Sequence, residues 1–234
     1  MSIPTLTIVP KVVSTVEHPG QVVLYYFHDP MCSWCWAFRP AWGKLINGLP
    51  EGVVVQGVLG GLAPDTDEPM PVALRAKIQD IWKKIQYKVP GTEFNFNFWR
   101  DCTPRRSTFI ACRAVIAAKC QHPMYEEWII LAIQAAYYLD ARNPSEISTL
   151  VEIATSIGLE PVRFAKDLNS SQTNAELQYQ MEFGHSIGIH QFPSLVLKHH
   201  DQYTRIKINY RDPSVTVRTI SKCLKSSLGR KKKV

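Results

Sequence analysis

Residues 21–38 read QVVLYYFHDPMCSWCWAF. Gln21 to Phe27 is a short, almost wholly apolar run of β-branched and aromatic residues, stopped by His28-Asp29-Pro30. That pattern predicts a buried central strand. A helix can start at once, in Met31 to Phe38, and Pro40 is expected to kink it rather than end it, because Trp42, Leu45 and Ile46 continue an apolar face. Cys32 and Cys35 therefore fall where a strand hands over to a helix. First-turn amides have no intrahelical acceptor and the helix dipole turns its positive end toward Cys32, which favours an anion on that sulfur. The three-residue offset lets Cys35 close a disulfide with Cys32. Cys32, nearer the helix terminus and solvent, is the expected nucleophile; Cys35, one turn deeper, is the resolving thiol. Such a pair passes two electrons through a mixed disulfide with a substrate.

Downstream, Gly52 to Leu59 (GVVVQGVL) predicts a second strand, followed by Gly60-Gly61, a turn or a close backbone approach that admits substrate. Strand, helix and strand make one βαβ unit. From Pro71 to about Ile187 helical periodicity dominates. Leu74, Ile78, Ile81, Trp82 and Ile85 share a face; Thr103-Pro104 reads as a helix start; Ser107 to Lys119 is alanine-rich helix; Trp128, Leu131, Ala132, Ala135 and Leu139 mark another helix; Asn143-Pro144 caps one that ends near Gly158. Leu168, Leu177, Met181 and Phe183 lie in the last helical pieces. Strand character returns at Phe192 to Leu197. A charged turn over Lys198 to Gln202 leads to a weaker strand at Thr204 to Tyr210, and Asp212-Pro213 starts a final helix with Val215, Val217, Ile220 and Leu224 on its face. Thr5 to Val9 reads as an edge strand or an extended arm. Two strands before the helical block and two after it can form one sheet, so the block is most simply an insertion into a small α/β domain.

Several residues around the pair are candidates for chemistry. With a strand–CxxC–helix unit upstream, a cis bond at Phe192–Pro193 is expected; it turns the backbone of Phe192 toward the cysteines, where it can pair with an extended substrate peptide. Release of the Cys35 thiol needs a base, and His28 or Asp29 can supply one, although Asp29 serves equally as a turn residue before Pro30. Met31, Ser33, Trp34, Gln191 and Phe192 are the candidate substrate contacts, with Trp34 on the rim. Trp36, Phe38, Cys112 and Cys223 read as structural. Two of four zinc ligands also use a C-x-x-C spacing, but no matching second pair exists: Cys102, Cys112 and Cys120 are ten and eight residues apart. A metal site is therefore not expected, and inert buried thiols are the other alternative to redox work.

Composition excludes several classes. The chain has 234 residues, 45% of them hydrophobic and 20% charged, with 16 prolines and 12 glycines in no period, which argues against disorder, collagen and solenoids. No apolar run of about 18 residues is present, so no membrane span is expected. The net charge of +7 includes Arg230, Lys231, Lys232 and Lys233, read as a solvated tail. No zinc-finger spacing, RNA-binding signature or basic–aromatic stripe supports nucleic-acid binding. The opening MSIPTLTIVPKVV lacks a basic region ahead of an apolar run, which predicts no secretory signal and a cytoplasmic location. In that reducing compartment most of the six cysteines should be free.

The string His28 to Phe38 (HDPMCSWCWAF), the helical insertion and Gly188 to Leu197 (GIHQFPSLVL) together resemble the DsbA family of thioredoxin-fold oxidoreductases, and within it the cytoplasmic, FrnE-like branch of protein-disulfide isomerases. The resemblance covers residues 20–225. It implies an α/β, thioredoxin-like fold carrying a large all-helical insertion: residues 1–66 and 188–226 as the thioredoxin-like domain, 67–187 as the insertion and 227–234 as a basic tail. It also implies nucleophilic Cys32, resolving Cys35, cis Pro193, no bound cofactor, and protein or peptide thiols and disulfides as partners. The Ser-Trp dipeptide between the cysteines departs from the Pro-His of the strongly oxidising periplasmic enzyme and implies a less oxidising pair. Glutathione-dependent isomerases and kappa-like transferases share this layout, so glutathione as a co-substrate is a second reading. A chaperone-like binding module is a third.

Overall fold

The computed structural model describes residues 20–230, with side chains as far as Lys225. The expected strand at Thr5–Val9 and the last four residues of the basic tail lie outside the described residues. A four-stranded sheet runs in the order β2-β1-β3-β4, built from β1 (Val22–His28), β2 (Val53–Leu59), β3 (Ser194–His199) and β4 (Gln202–Ile206). Thus two strands from before the helical block and two from after it do share one sheet. The apolar run at 23–28 is buried at every residue, as suits an inner strand. β3 and β4 pair antiparallel from Leu195–Ile206 to His199–Gln202. The second hairpin strand thus begins at Gln202 and ends at Ile206, not at Tyr210; beyond it, the Thr216 hydroxyl donates to Lys207 O and its oxygen accepts from Asn209 N, bonds that replace a ladder.

Helix α1 (Ser33–Asn47) continues through Pro40. Between β2 and β3 lie α2 (Val72–Lys88), α3 (Phe98–Asp101), α4 (Phe109–Gln121), α5 (Tyr125–Tyr138), α6 (Ile147–Ser156), α7 (Pro161–Leu168) and α8 (Ser171–Ser186); α9 (Pro213–Arg230) follows the sheet. Two helix starts differ from expectation. Thr103-Pro104 opens no helix: Pro104 O accepts from Met70 N, and Arg105 bridges Pro69, so the segment is extended. Asn143-Pro144 stands ahead of α6 rather than at its start. The Asn143 side chain accepts from Ser145 N in a local turn, and the helix begins four residues after Asn143. The end of α6 is as expected. Gly158 has φ +90°, Leu159 N donates to Ala154 O and Gly158 N to Thr155 O, the paired bonds of a Schellman stop.

The described chain forms two compact units. One takes residues up to Tyr26, Arg39–Gln56 and those from Leu195; the other takes Phe27–Phe38 and Gly57–Ser194. The first buries Leu24, Leu45 and Ile220, and stacks Tyr26 on Trp42 at 4.3 Å. The second is centred on α4, buried at every residue from Ile110 to Ala118. Its alanines let other helices approach on all sides, the packing of an interior helix. In α5 the buried face is Ile129, Ile130, Ile133 and Ala136, while Trp128 is 46% exposed. The turn bearing Cys32 and Cys35 belongs to this second, helical unit.

Candidate active site

Cys32 closes the turn before α1. Its N–H donates to Asp29 O and its carbonyl accepts from Trp36 N, both at 3.0 Å. Its Sγ then accepts the N–H of Cys35 at 3.4 Å. A serine or aspartate oxygen at a helix N-cap satisfies the amide three residues on in the same way; here sulfur takes the place of oxygen. The Cys32 thiol in turn faces the carbonyl of Phe192, donating at 3.5 Å. The Phe192–Pro193 peptide is cis. Both thiols are free; Cys32 is 5% exposed and Cys35 1%. Burial pushes the Cys35 thiol well above its ordinary range, helped by its hydrogen bond to Cys32 and by the charges of Cys32 and Asp29.

Asp29 lies beneath this turn with no exposed surface. Its Oδ1 accepts from Met31 N at 2.7 Å. Its Oδ2 accepts from Leu62 N at 2.8 Å, from the Thr108 hydroxyl at 2.7 Å and from the Cys112 thiol at 3.5 Å. Desolvation outweighs those donors and raises the carboxyl above its usual range. The Cys112 thiol is pushed well up, by burial first and then by the charge of Asp29. Asp29 thus ties the redox turn, the segment after β2 and the start of α4 to one carboxylate. Thr108 and Cys112, 79 and 83 residues away, were not among the expected site residues. The sequence reads Thr108 as part of the alanine-rich helix from Ser107, whereas α4 begins one residue after it.

His28 is buried, with its carbonyl accepting from Gly60 N at 2.8 Å. Met31 packs into the core of the helical unit. Ser33 and Trp34 are half-buried, Gln191 is exposed, and Phe192 and Pro193 are half-buried. Phe38 and Cys112 are core residues. Trp36, expected in the core, is half-buried; it stacks on Tyr138 at 5.5 Å and donates its Nε1–H to Glu93 O at 3.0 Å. At Gly60-Gly61 the Phe192 ring lies against Gly60 and the Phe109 ring against Gly61. Cys102 donates to Ala141 O at 3.1 Å and Cys120 is exposed. Among the described residues no group of three His, Cys, Asp or Glu is arranged to hold a metal ion.

Comparison with known proteins agrees with this geometry. A thioredoxin family model matches residues 25–214. The fold superposes on a "putative protein disulfide isomerase" of Nitrosomonas europaea with a TM-score of 0.76 at 25% identity, covering 88% of this chain and 98% of that one. It superposes on the cytosolic disulfide reductase DsbM of Pseudomonas aeruginosa with a TM-score of 0.71 at 21% identity, covering 87% and 98%; a structure of DsbM with GSH matches with a TM-score of 0.69, at 21% identity and 87% and 99% coverage. In sequence, the chain is 24% identical over 198 residues to the ClpXP adapter protein SpxH of Bacillus subtilis, covering 82% of this chain and 65% of SpxH. The chain therefore spans a little under two thirds of that relative's length. Because the family match takes in the redox turn, the helical block and the cis-proline loop, the chain belongs to the thioredoxin family, in the DsbA-like form that carries inserted helices.

Proposed function

We propose that this protein is a thiol–disulfide oxidoreductase working through Cys32 and Cys35. The observation that carries the reading is the Cys32 sulfur: it accepts a first-turn amide on one side and faces the carbonyl before the cis proline on the other. In the reductive direction the Cys32 thiolate attacks a substrate disulfide, forms a mixed disulfide and releases one substrate thiolate. The Cys35 thiolate then attacks the Cys32 sulfur, closes the intramolecular disulfide and releases the second. The pair loses two electrons and the substrate gains them; the two cysteine protons end on the two released thiols. The reverse sequence oxidises a dithiol. Because Cys35 resists ionisation, its attack needs a proton acceptor, and Asp29, buried beneath the turn and itself raised, fits that role better than His28. Phe192, with Pro193 holding its backbone in place, offers a main-chain edge to an extended peptide, and Trp34, Ser33 and Gln191 border it.

The likeness to a cytosolic disulfide reductase and to its GSH-bound structure supports a cytoplasmic location and glutathione as the thiol that recycles the pair. The finer assignment to the FrnE-like branch rests on the DPMCSWCW string. The experiment is turnover of a disulfide peptide with glutathione as reductant. Wild-type protein should reduce it catalytically, and Cys32→Ser should fall to the background rate. Undiminished turnover by Cys32→Ser would reject the reading.

The likeness to the adapter SpxH favours a second reading, a protein-binding role independent of redox chemistry. Retention of partner binding in a variant with both Cys32 and Cys35 changed to Ser would support it.

A further inference from the structure

We propose that Gly60 is a positioning residue for the exchange reaction: it is the seat for the Phe192 ring and thereby fixes the carbonyl that faces the Cys32 thiol. The inference rests on the exchange reading above and extends it to a residue with no reactive group. A Cβ built on Gly60 would fall inside the Phe192 ring, overlapping Cζ, Cε1 and Cε2. The ring therefore occupies the volume that any other residue at position 60 would fill. Gly60 is buried and has no positive φ, so its glycine is required by this contact and not by its backbone conformation.

The backbone under the ring is held along its length. Leu59 N donates to Gln180 Oε1 at 2.7 Å and Gly60 N to His28 O at 2.8 Å. A Cβ on Gly61 would stand 2.7 Å from Phe109 Cε1 and 2.8 Å from Met181 Sδ, so that residue is hemmed in as well. Leu62 N donates to Asp29 Oδ2 and Ala63 N to the Thr108 hydroxyl at 3.1 Å. Close-packed interiors have no slack for an added methyl group. With the 59–63 backbone anchored, the ring is the part that must yield. Phe192 has only two side-chain torsions, and its carbonyl is the acceptor for the Cys32 thiol. On this proposal the carbonyl and the main-chain edge beside it follow the displaced ring.

The test is a cycle of four proteins: wild type, Gly60→Ala, Phe192→Ala and the double variant. Two readouts are taken, kcat and KM for a disulfide peptide, and the rate at which iodoacetamide alkylates Cys32, which needs no catalytic turnover. Gly60→Ala should lower kcat/KM by roughly tenfold to a hundredfold, the scale of an ångström misplacement at a reacting group, and should change the alkylation rate. Without the ring the added methyl has room, so the double variant should match Phe192→Ala in both readouts. A double variant impaired beyond Phe192→Ala, or a Gly60→Ala protein equal to wild type, would overturn the proposal. Where Gly60→Ala alone does not fold, Phe192→Ala must itself lower kcat/KM and change the alkylation rate and the double variant must match it; a Phe192→Ala protein equal to wild type would overturn the proposal. A wild type without Cys32-dependent turnover would count against the exchange reading, and the alkylation cycle would still judge Gly60.

Discussion

Asp29 gathers four donors on one buried carboxylate, two of them main-chain amides. Asparagine has one acceptor oxygen, so in Asp29→Asn either Met31 N loses its acceptor, or the Thr108 hydroxyl and Leu62 N face an NH2 group and Leu62 N keeps only its 3.0 Å bond to the Thr108 oxygen. An unsatisfied buried donor costs about 1–3 kcal/mol. Urea unfolding should show a loss on that scale, and resolution of the mixed disulfide by Cys35 should slow, since the proposed acceptor for its proton is gone. The thiols of Cys35 and Cys112 make a separate statement about pH. Burial raises both. In the unfolded chain they ionise near the ordinary value of about 8.5, whereas in the folded chain they keep their protons. The folded state then binds more protons, so the reduced protein holds its full stability below about pH 8.5 and loses it as the pH climbs toward the raised values. The slope is at most about 1.4 kcal/mol per pH unit for each thiol. Urea unfolding at several pH values should show it, and Cys112→Ala should remove one thiol's share.

At the scale of elements, what could be read from the sequence was local. The strand at Val22–His28, the helix through Pro40 and the glycine stop after Ser156 each depend on residues within a few positions, so pattern alone located them. One misplaced start has a non-local cause. Thr103-Pro104 has the composition of a helix cap, yet Met70 and Pro69 draw it into extended pairing. α7 shows a cap that works: Glu160 accepts from Val162 N at 2.9 Å and Arg163 N at 2.6 Å, with Pro161 at the first helical position. Glu160→Ala should cost about 0.5–2 kcal/mol, read as a lower urea midpoint with an unchanged slope. The same distinction holds in the site. Cys32, Cys35 and Pro193 stood out through their neighbours in sequence. Thr108 did not, and Gly60 and Cys112 stood out only as a turn or close approach and as a core residue, because their contacts with Phe192 and Asp29 are made only in the folded chain.

For the whole molecule, the helices between β2 and β3 do more than extend the chain. α4 supplies Thr108 and Cys112 beneath the redox turn, and α8 supplies Gln180 and Met181 to the segment that seats Phe192. The reactive pair is thus supported by side chains from helices remote in sequence, which agrees with its belonging to the helical unit. In the proposed reaction the sulfur held at the N-terminus of α1 attacks first and the deeper one resolves. Mass spectrometry of a trapped intermediate tests that order. After incubation with a disulfide peptide, Cys35→Ser should carry one peptide, linked to Cys32, in a stable mixed disulfide, and wild-type protein should carry none at the end of the reaction. A peptide linked to any other cysteine, or a Cys35→Ser protein that never forms the adduct, would contradict it.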